Sequence, residues 1–90
     1  PMTFGQTLKN LRTKSGKSRY RLNQYSGLDE AYILRLESGE RQNPSRDAVM
    51  KLGLALVATS GAMSIHDVNE LLLAAGYAPL RSRGEAESGV

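Results

Sequence analysis

Apolar residues recur every three or four positions in five stretches of the chain, and capping residues bound most of these stretches. This spacing is typical of helices that each bury one face. A Ser, Thr or Asp before a stretch can accept hydrogen bonds from the first free N–H groups, and a Gly after it can end the helix. The pattern predicts an all-α chain whose helices follow Thr3, Ser18, Asp29, Ser45 and Ser64 and end near Gly16, Gly27, Gly39, residues 59–61 and Gly76.

The first and fifth predicted helices each begin with a capping box, in which the side chains of two residues three apart bond each other's backbone. The two pairs are Thr3 with Gln6 and Ser64 with Asp67. Spacing in the fifth helix predicts one buried face, made of Ile65, Val68, Leu72 and Ala75.

The stretch from Ser18 to Gly39 combines these signals most densely. Ser18 and Gly27 bound a helix over residues 19–26, and a second helix is expected over residues 30–38 with Asp29 as its cap. Apolar residues at helical spacing face inward, whereas Glu30, Tyr32 and Arg35 point outward. Two short helices joined by a tight turn are typical of a helix-turn-helix, whose second helix enters the DNA major groove.

From Thr3 to about Ala58 the chain resembles the Cro and phage-repressor helix-turn-helix family, also called XRE-like regulators. The matching positions are Leu8, Arg12, Gly16, Ser18, Leu22, Gly27, Leu28, Ile33, Glu37, Ser38, Gly39, Pro44, Ser45 and Leu52. The resemblance implies a compact five-helix bundle of the lambda-repressor-like type that binds double-stranded DNA, usually as a homodimer. The chain departs from the family pattern at Arg19 (most often Gln), Asn23 (preferably Ala), Glu30 and Ala31.

The resemblance also implies roles for individual residues. Base contacts are expected from Glu30, Ala31, Tyr32 and Arg35, and phosphate contacts from Lys17, Ser18, Arg19, Arg41, Gln42 and Asn43. Arg12 and Glu37 are expected to form a salt bridge between the first and third helices. For Arg35, a phosphate contact or an ion pair with Glu30 or Glu37 is an alternative, and the loop over residues 39–44 is alternatively a plain connector.

Charge adds to the DNA-binding hypothesis. The net charge is +3, and six Lys and Arg residues precede residue 29 without a single acid. Such a positive field favours a phosphate backbone, although a solvated basic face is the alternative interpretation.

The composition argues against several other classes of protein. The 90 residues contain no Cys and one His, so we expect no disulfide, no metal site and no cofactor. His66 lacks a plausible nucleophile partner, and we therefore expect no catalytic residue and no enzyme. Apolar runs do not exceed five residues, far short of a membrane span, and we expect a cytoplasmic protein.

Two functions remain open at this point: a DNA-binding transcriptional regulator, expected to repress, or a protein-interaction module on the same fold, such as an antitoxin or a cytoskeletal adaptor. A homodimer is predicted through Leu71, Leu73, Tyr77 and Leu80. Alternatively, Tyr77 and Leu80 fold back onto their own core. We assign residues 1–80 to the domain and residues 81–90, which are rich in Gly, Ser, Glu and Arg, to a flexible tail.

Overall fold

The computed structural model describes residues 1–58 and 60–81, which form five α-helices and no strand. The helices are α1 (Phe4–Ser15), α2 (Arg19–Ser26), α3 (Glu30–Ser38), α4 (Arg46–Val57) and α5 (Ile65–Ala74). The all-α prediction is confirmed, and so are the predicted bounds of α2 and α3. Apart from Arg81, the predicted tail lies outside the described residues.

Local capping explains where most helices begin and end. Both predicted capping boxes are present, Thr3 with Gln6 before α1 and Ser64 with Asp67 before α5. Gly27 ends α2 with a φ of 75°, a left-handed conformation that only glycine adopts at little cost. Asp29 occupies the predicted N-cap position of α3, but the expected capping hydrogen bond from its side chain is absent.

The turn between α2 and α3 is held by Asn23 instead. Its side-chain Nδ2 donates to the carbonyl of Leu28 at 2.7 Å, and Asn23 occupies a position at which the resembled family prefers Ala. The departure from the family pattern therefore contributes a bond across the turn.

One apolar core joins all five helices. Its buried side chains are Leu8, Leu11, Leu22, Ile33, Leu36, Val49, Leu52, Ala55, Leu56, Met63, Val68, Leu71 and Leu72. Helix α1 packs on α3, α4 and α5, while α2 packs on α3 and α4. Short helices are marginal alone in water, so this shared core is what stabilises them.

Helix α1 approaches the end of α3 at Gly5. A Cβ added to Gly5 would lie 2.3 Å from the carbonyl oxygen of Leu36 and 2.7 Å from that of Glu37. These separations leave no room for any side chain, so the crossing of the two helices requires glycine at this position.

Helix α5 differs from the prediction at two positions. Leu71 was expected at a dimer interface but is fully buried in the chain's own core, because its position follows Val68 and precedes Leu72 on the inner face. Ile65 was expected in the core but is 48% exposed, at the first position of α5.

The segment after α5 folds back onto its own domain. The Tyr77 hydroxyl donates to the carbonyl of Pro44 at 2.7 Å, and the Leu80 N–H donates to Asn69 Oδ1 at 2.7 Å. Tyr77 and Leu80 are both half-buried against the core. This is the alternative arrangement considered for these two residues, and it removes most of their surface from a dimer interface.

Candidate nucleic-acid interface

Helix α3 has one buried and one exposed face. Ile33, Leu36 and Glu37 are buried, whereas Glu30, Ala31, Leu34, Arg35 and Ser38 are exposed. The buried face fixes the helix against α1 and α2, and the exposed side chains are available to a partner. Three of the four predicted base-contacting residues, Glu30, Ala31 and Arg35, lie on this exposed face.

Arg35 lies in the middle of the exposed face. Its Nε is 3.9 Å from Glu40 Oε2, and the two side chains are 49% and 71% exposed. An ion pair this long and this exposed contributes little to the stability of the fold. The acid that Arg35 faces is thus Glu40 and neither Glu30 nor Glu37, the two that sequence suggested.

Tyr32, the fourth predicted base-contacting residue, lies at the edge of the face. Its ring is half-buried against the core, and the Arg41 guanidinium carbon lies 6.0 Å from the ring centroid. A cation over an aromatic face is attracted by the ring's electron density. This contact ties the exposed Arg41 to α3.

The loop that follows α3 is exposed from Gly39 to Asn43 and is held by short-range bonds. The Arg41 N–H donates back to the Arg35 carbonyl at 3.0 Å, and Gln42 Nε2 donates to the Gly39 carbonyl at 3.3 Å. Asn43 has a φ of 57°, which Asn tolerates better than most residues. The loop therefore presents Arg41, Gln42 and Asn43 in one defined arrangement.

The start of α2 lies near the end of α3. Ser18 caps α2 by accepting from the Arg21 N–H at 3.1 Å, and its hydroxyl hydrogen can still be donated to another acceptor. Arg19 Nε donates to Glu37 Oε1 at 3.1 Å, and 34% of its side chain is exposed.

Lys17 is not placed where sequence suggested. The residue is only 9% exposed, its Nζ donates to the carbonyl of Leu56 at 3.2 Å, and the same atom lies 5.7 Å from the centre of the Tyr25 ring. The ammonium group thus stabilises the carboxyl end of α4. The charged group of Lys17 is therefore buried within the fold and is not available for the expected contact to a DNA phosphate.

Glu37 links the two helices of the motif to α1. Arg12 donates to its carboxylate twice, from Nε at 2.5 Å and from Nη2 at 3.1 Å. The Glu37 side chain is 2% exposed and that of Arg12 is 14% exposed. The pair suggested by the family resemblance is therefore present and lies inside the fold.

The positive charge of the amino-terminal third is largely used within the fold. Arg12 and Arg19 share Glu37, Lys14 pairs with Asp67 at 3.0 Å, and Lys17 is buried. The predicted field is therefore weaker than the count of basic residues suggested. Sequence could not show this because Lys14 and Asp67 are 53 positions apart.

Leu34 was missed by the sequence analysis. It is 48% exposed and lies between Glu30 and Ser38 at four-residue spacing, on the same face as Arg35. Helical spacing alone could have placed it there. An exposed apolar side chain on this face is suited to contact a thymine methyl group.

A groove of about 510 Å³ lies behind the loop, between the start of α1, the end of α3 and the end of α5. Its acidic side chain is Glu37, whose carboxylate is occupied by two arginines. Across the described residues, His, Asp and Glu form no cluster of three that could hold a metal ion. Among the residues that the structure describes, no helix is long and apolar enough to cross a membrane.

Comparison with known proteins agrees with this architecture. Residues 3–63, more than half of the chain, match the family model described as a helix-turn-helix domain. The chain therefore belongs to the helix-turn-helix domain family. Searches of curated proteins and of solved structures returned no significant match.

Proposed function

We propose that this protein is a sequence-specific DNA-binding regulator of the XRE-like type that represses transcription as a homodimer in the cytoplasm. The observation that supports this most is the exposed face of α3, which is free of strong contacts to its own chain and has Arg35 at its middle. In a helix-turn-helix this face enters the major groove. We further propose that the chain binds its partner without catalysing a reaction.

The proposed base contacts lie on α3. Arg35 is suited to guanine, since its guanidinium can donate to O6 and N7 together. Glu30 can accept from cytosine N4, and Ala31 and Leu34 can contact thymine methyl groups. Tyr32 instead supports Arg41, so we assign it a smaller part in base contact.

The proposed phosphate contacts come from two segments near the carboxyl end of α3. Ser18 and Arg19 lie at the start of α2, and Arg41, Gln42 and Asn43 lie in the loop after α3. Contacts to phosphate fix the position of a protein on the duplex but carry no sequence information.

A protein-interaction module is the second candidate. Asp29, Glu30 and Glu40 are exposed close to the proposed DNA face, and acids at such a face repel phosphate. Exposed Leu34 would suit a protein partner as well.

Selection of bound sequences from a random duplex pool, followed by salt titration, separates the two candidates. A DNA-binding regulator is expected to enrich one half-site, and its affinity should fall steeply with salt as counterions are released. Failure to enrich any sequence, together with weak binding that does not depend on salt, would favour the interaction module.

Two variants then distinguish base contact from phosphate contact. Arg35→Ala is expected to cost about 1–3 kcal/mol at one base pair and to relax preference there, because a bidentate contact is lost. Arg41→Ala is expected to weaken all sequences alike and to lower the salt slope by about one. The readout is affinity for the selected site, for single-base variants and for random duplex. If Arg35→Ala also weakens all sequences alike, Arg35 contacts phosphate.

A further inference from the structure

Glu37 is a buried carboxylate with more positive charge beside it than it can neutralise. Arg12 and Arg19 both donate to it, and only 2% of its side chain is exposed. The cluster of one acid and two arginines therefore has a net charge of about +1. It lies at the junction of α1, α2 and α3.

Arg12 alone is sufficient to satisfy Glu37. It donates to both carboxylate oxygens, and its Nη1 also donates to the Lys17 carbonyl at 3.2 Å, one residue before the cap of α2. This set of bonds fixes Arg12 as a link between helices. Neutralising Glu37 therefore does not require Arg19.

Arg19 is attached to the cluster through one atom. Its Nε donates to Glu37 Oε1 at 3.1 Å, while its two Nη groups have no hydrogen-bond acceptor among residues 1–58 and 60–81. About a third of the side chain is exposed at the first position of α2. The planar fork of the guanidinium is thus held at its base and open at its tip, next to a helix N-terminus that favours anions.

We propose that Glu37 is a positioning residue for DNA binding: it holds the Nε of Arg19 so that both Nη groups can donate to the two oxygens of one phosphate. This inference rests on the function proposed above and adds a mechanism to it. An arginine that is mobile on the surface loses side-chain entropy when it binds. Arg19 is already ordered in the folded protein, so binding costs less side-chain entropy. Lysine at position 19 could supply the charge but could not bind Glu37 and phosphate in this divided way.

The experiment compares Arg19→Gln, Arg19→Lys and the native chain for affinity to random duplex DNA over a range of salt concentrations. Arg19→Gln is expected to lower the salt slope by about one, because one phosphate contact is lost. Arg19→Lys is expected to keep the native slope but to bind about 2- to 10-fold more weakly, because the lysine is not ordered in advance. Lys51→Gln is the control: this lysine lies on α4, pairs with Asp47 and should leave both quantities unchanged.

Glu37→Gln provides an independent test through the sign of its effect. If Glu37 acted only as a negative charge near DNA, its removal would strengthen binding. Positioning of Arg19 predicts weaker binding to every duplex instead. Circular dichroism must first show that this variant is folded, since Arg12 loses its charged buried partner. If Glu37→Gln is unfolded, the Arg19→Gln and Arg19→Lys variants alone test the positioning role.

The outcomes separate the two proposals. A native slope in Arg19→Gln would show that Arg19 does not contact phosphate and only braces α2 against α3. It would overturn the positioning role and the Arg19 phosphate contact, but would leave DNA binding through the exposed face of α3 standing. Equal affinity of Arg19→Lys and the native chain would overturn it as well. A native chain without salt-dependent DNA binding would overturn the proposed function and this inference together.

Discussion

The side chain of Arg12 links three helices by hydrogen bonds. It crosses from α1 to the end of α3 through Glu37 and to the start of α2 through the Lys17 carbonyl. Both partners of the ion pair are mostly excluded from water. Removing one member of such a pair leaves the other charge buried and poorly compensated.

We expect Arg12→Ala to lower the free energy of unfolding by about 3–5 kcal/mol, the usual cost of breaking a buried pair. The residual Arg19 contact to Glu37 places the expected value near the lower end. Chemical denaturation followed by circular dichroism measures it. Lys51→Ala, which breaks an exposed pair with Asp47, is the matched control and should cost less than about 1 kcal/mol. A loss of only a few tenths in Arg12→Ala would contradict the buried-pair interpretation.

For single residues, the sequence could suggest which side chains pair with each other only through the family resemblance. The Arg12 and Glu37 pair was suggested in that way. By contrast, the burial of Lys17 depends on where the carboxyl end of α4 lies, which local sequence does not specify. The second arginine at Glu37 could not be foreseen either, because the family most often has Gln at position 19.

At the scale of helices, prediction from sequence was most successful where capping chemistry is local. Thr3, Ser18, Gly27 and Ser45 cap the helices that they were expected to cap, because each acts on a backbone group within three or four residues. Asp29 takes the N-cap position of α3, but its side chain accepts no hydrogen bond from the first turn; its ψ of 137° lies below the 156° of the capping Ser45.

Asp67 connects the start of α5 to α1 and makes this helix sensitive to acid. Burial acts to raise the pKa of Asp67, but the Ser64 N–H and the Lys14 ammonium outweigh it and hold the pKa below its usual value. A carboxyl whose pKa is lower in the folded state binds protons more readily when unfolded. Its stabilisation is therefore present above about pH 3.9, the unfolded value, and is lost as the pH falls through the folded value.

We expect Asp67→Asn to flatten the fall in unfolding free energy between about pH 5 and pH 2, because the variant lacks this proton-linked contribution. At neutral pH the variant should lose about 1 kcal/mol, since Lys14 is half exposed and the amide can still accept from the Ser64 N–H. Urea denaturation at a series of pH values provides the curves. Glu70→Gln, which removes an exposed acid from the same helix, should leave the slope intact. Parallel curves for native and Asp67→Asn chains would contradict this account.

At the scale of the whole molecule, the surface left for self-association is smaller than the sequence suggested. Of the four residues predicted at the interface, Leu71 is buried, and Tyr77 and Leu80 pack on their own core. Leu73 keeps an exposed side chain, at 59%. The sequence showed four apolar residues in this region, but it could not show which of them the core would use.

If the proposed homodimer forms through α5, Leu73→Glu should shift it to monomers, because a charge would be buried at the interface. Sedimentation equilibrium over a range of concentrations, with and without the selected duplex, measures the change. Leu34→Glu on α3 is the control and should leave association of the free protein unaltered. A native chain that remains a monomer at high concentration, with and without DNA, would contradict the homodimer.

Helix α3 separates the residues that pack against the fold from the residues that are exposed. Its inner side must match the backbone approach at Gly5, which fixes the Leu36 and Glu37 carbonyls against α1. Its outer positions make few contacts that the fold requires. If α3 contacts base edges as proposed, a new recognition specificity could arise by exchange of a few outer side chains while the inner side is retained. Binding preference could then diverge within these nine residues without a new hydrophobic core.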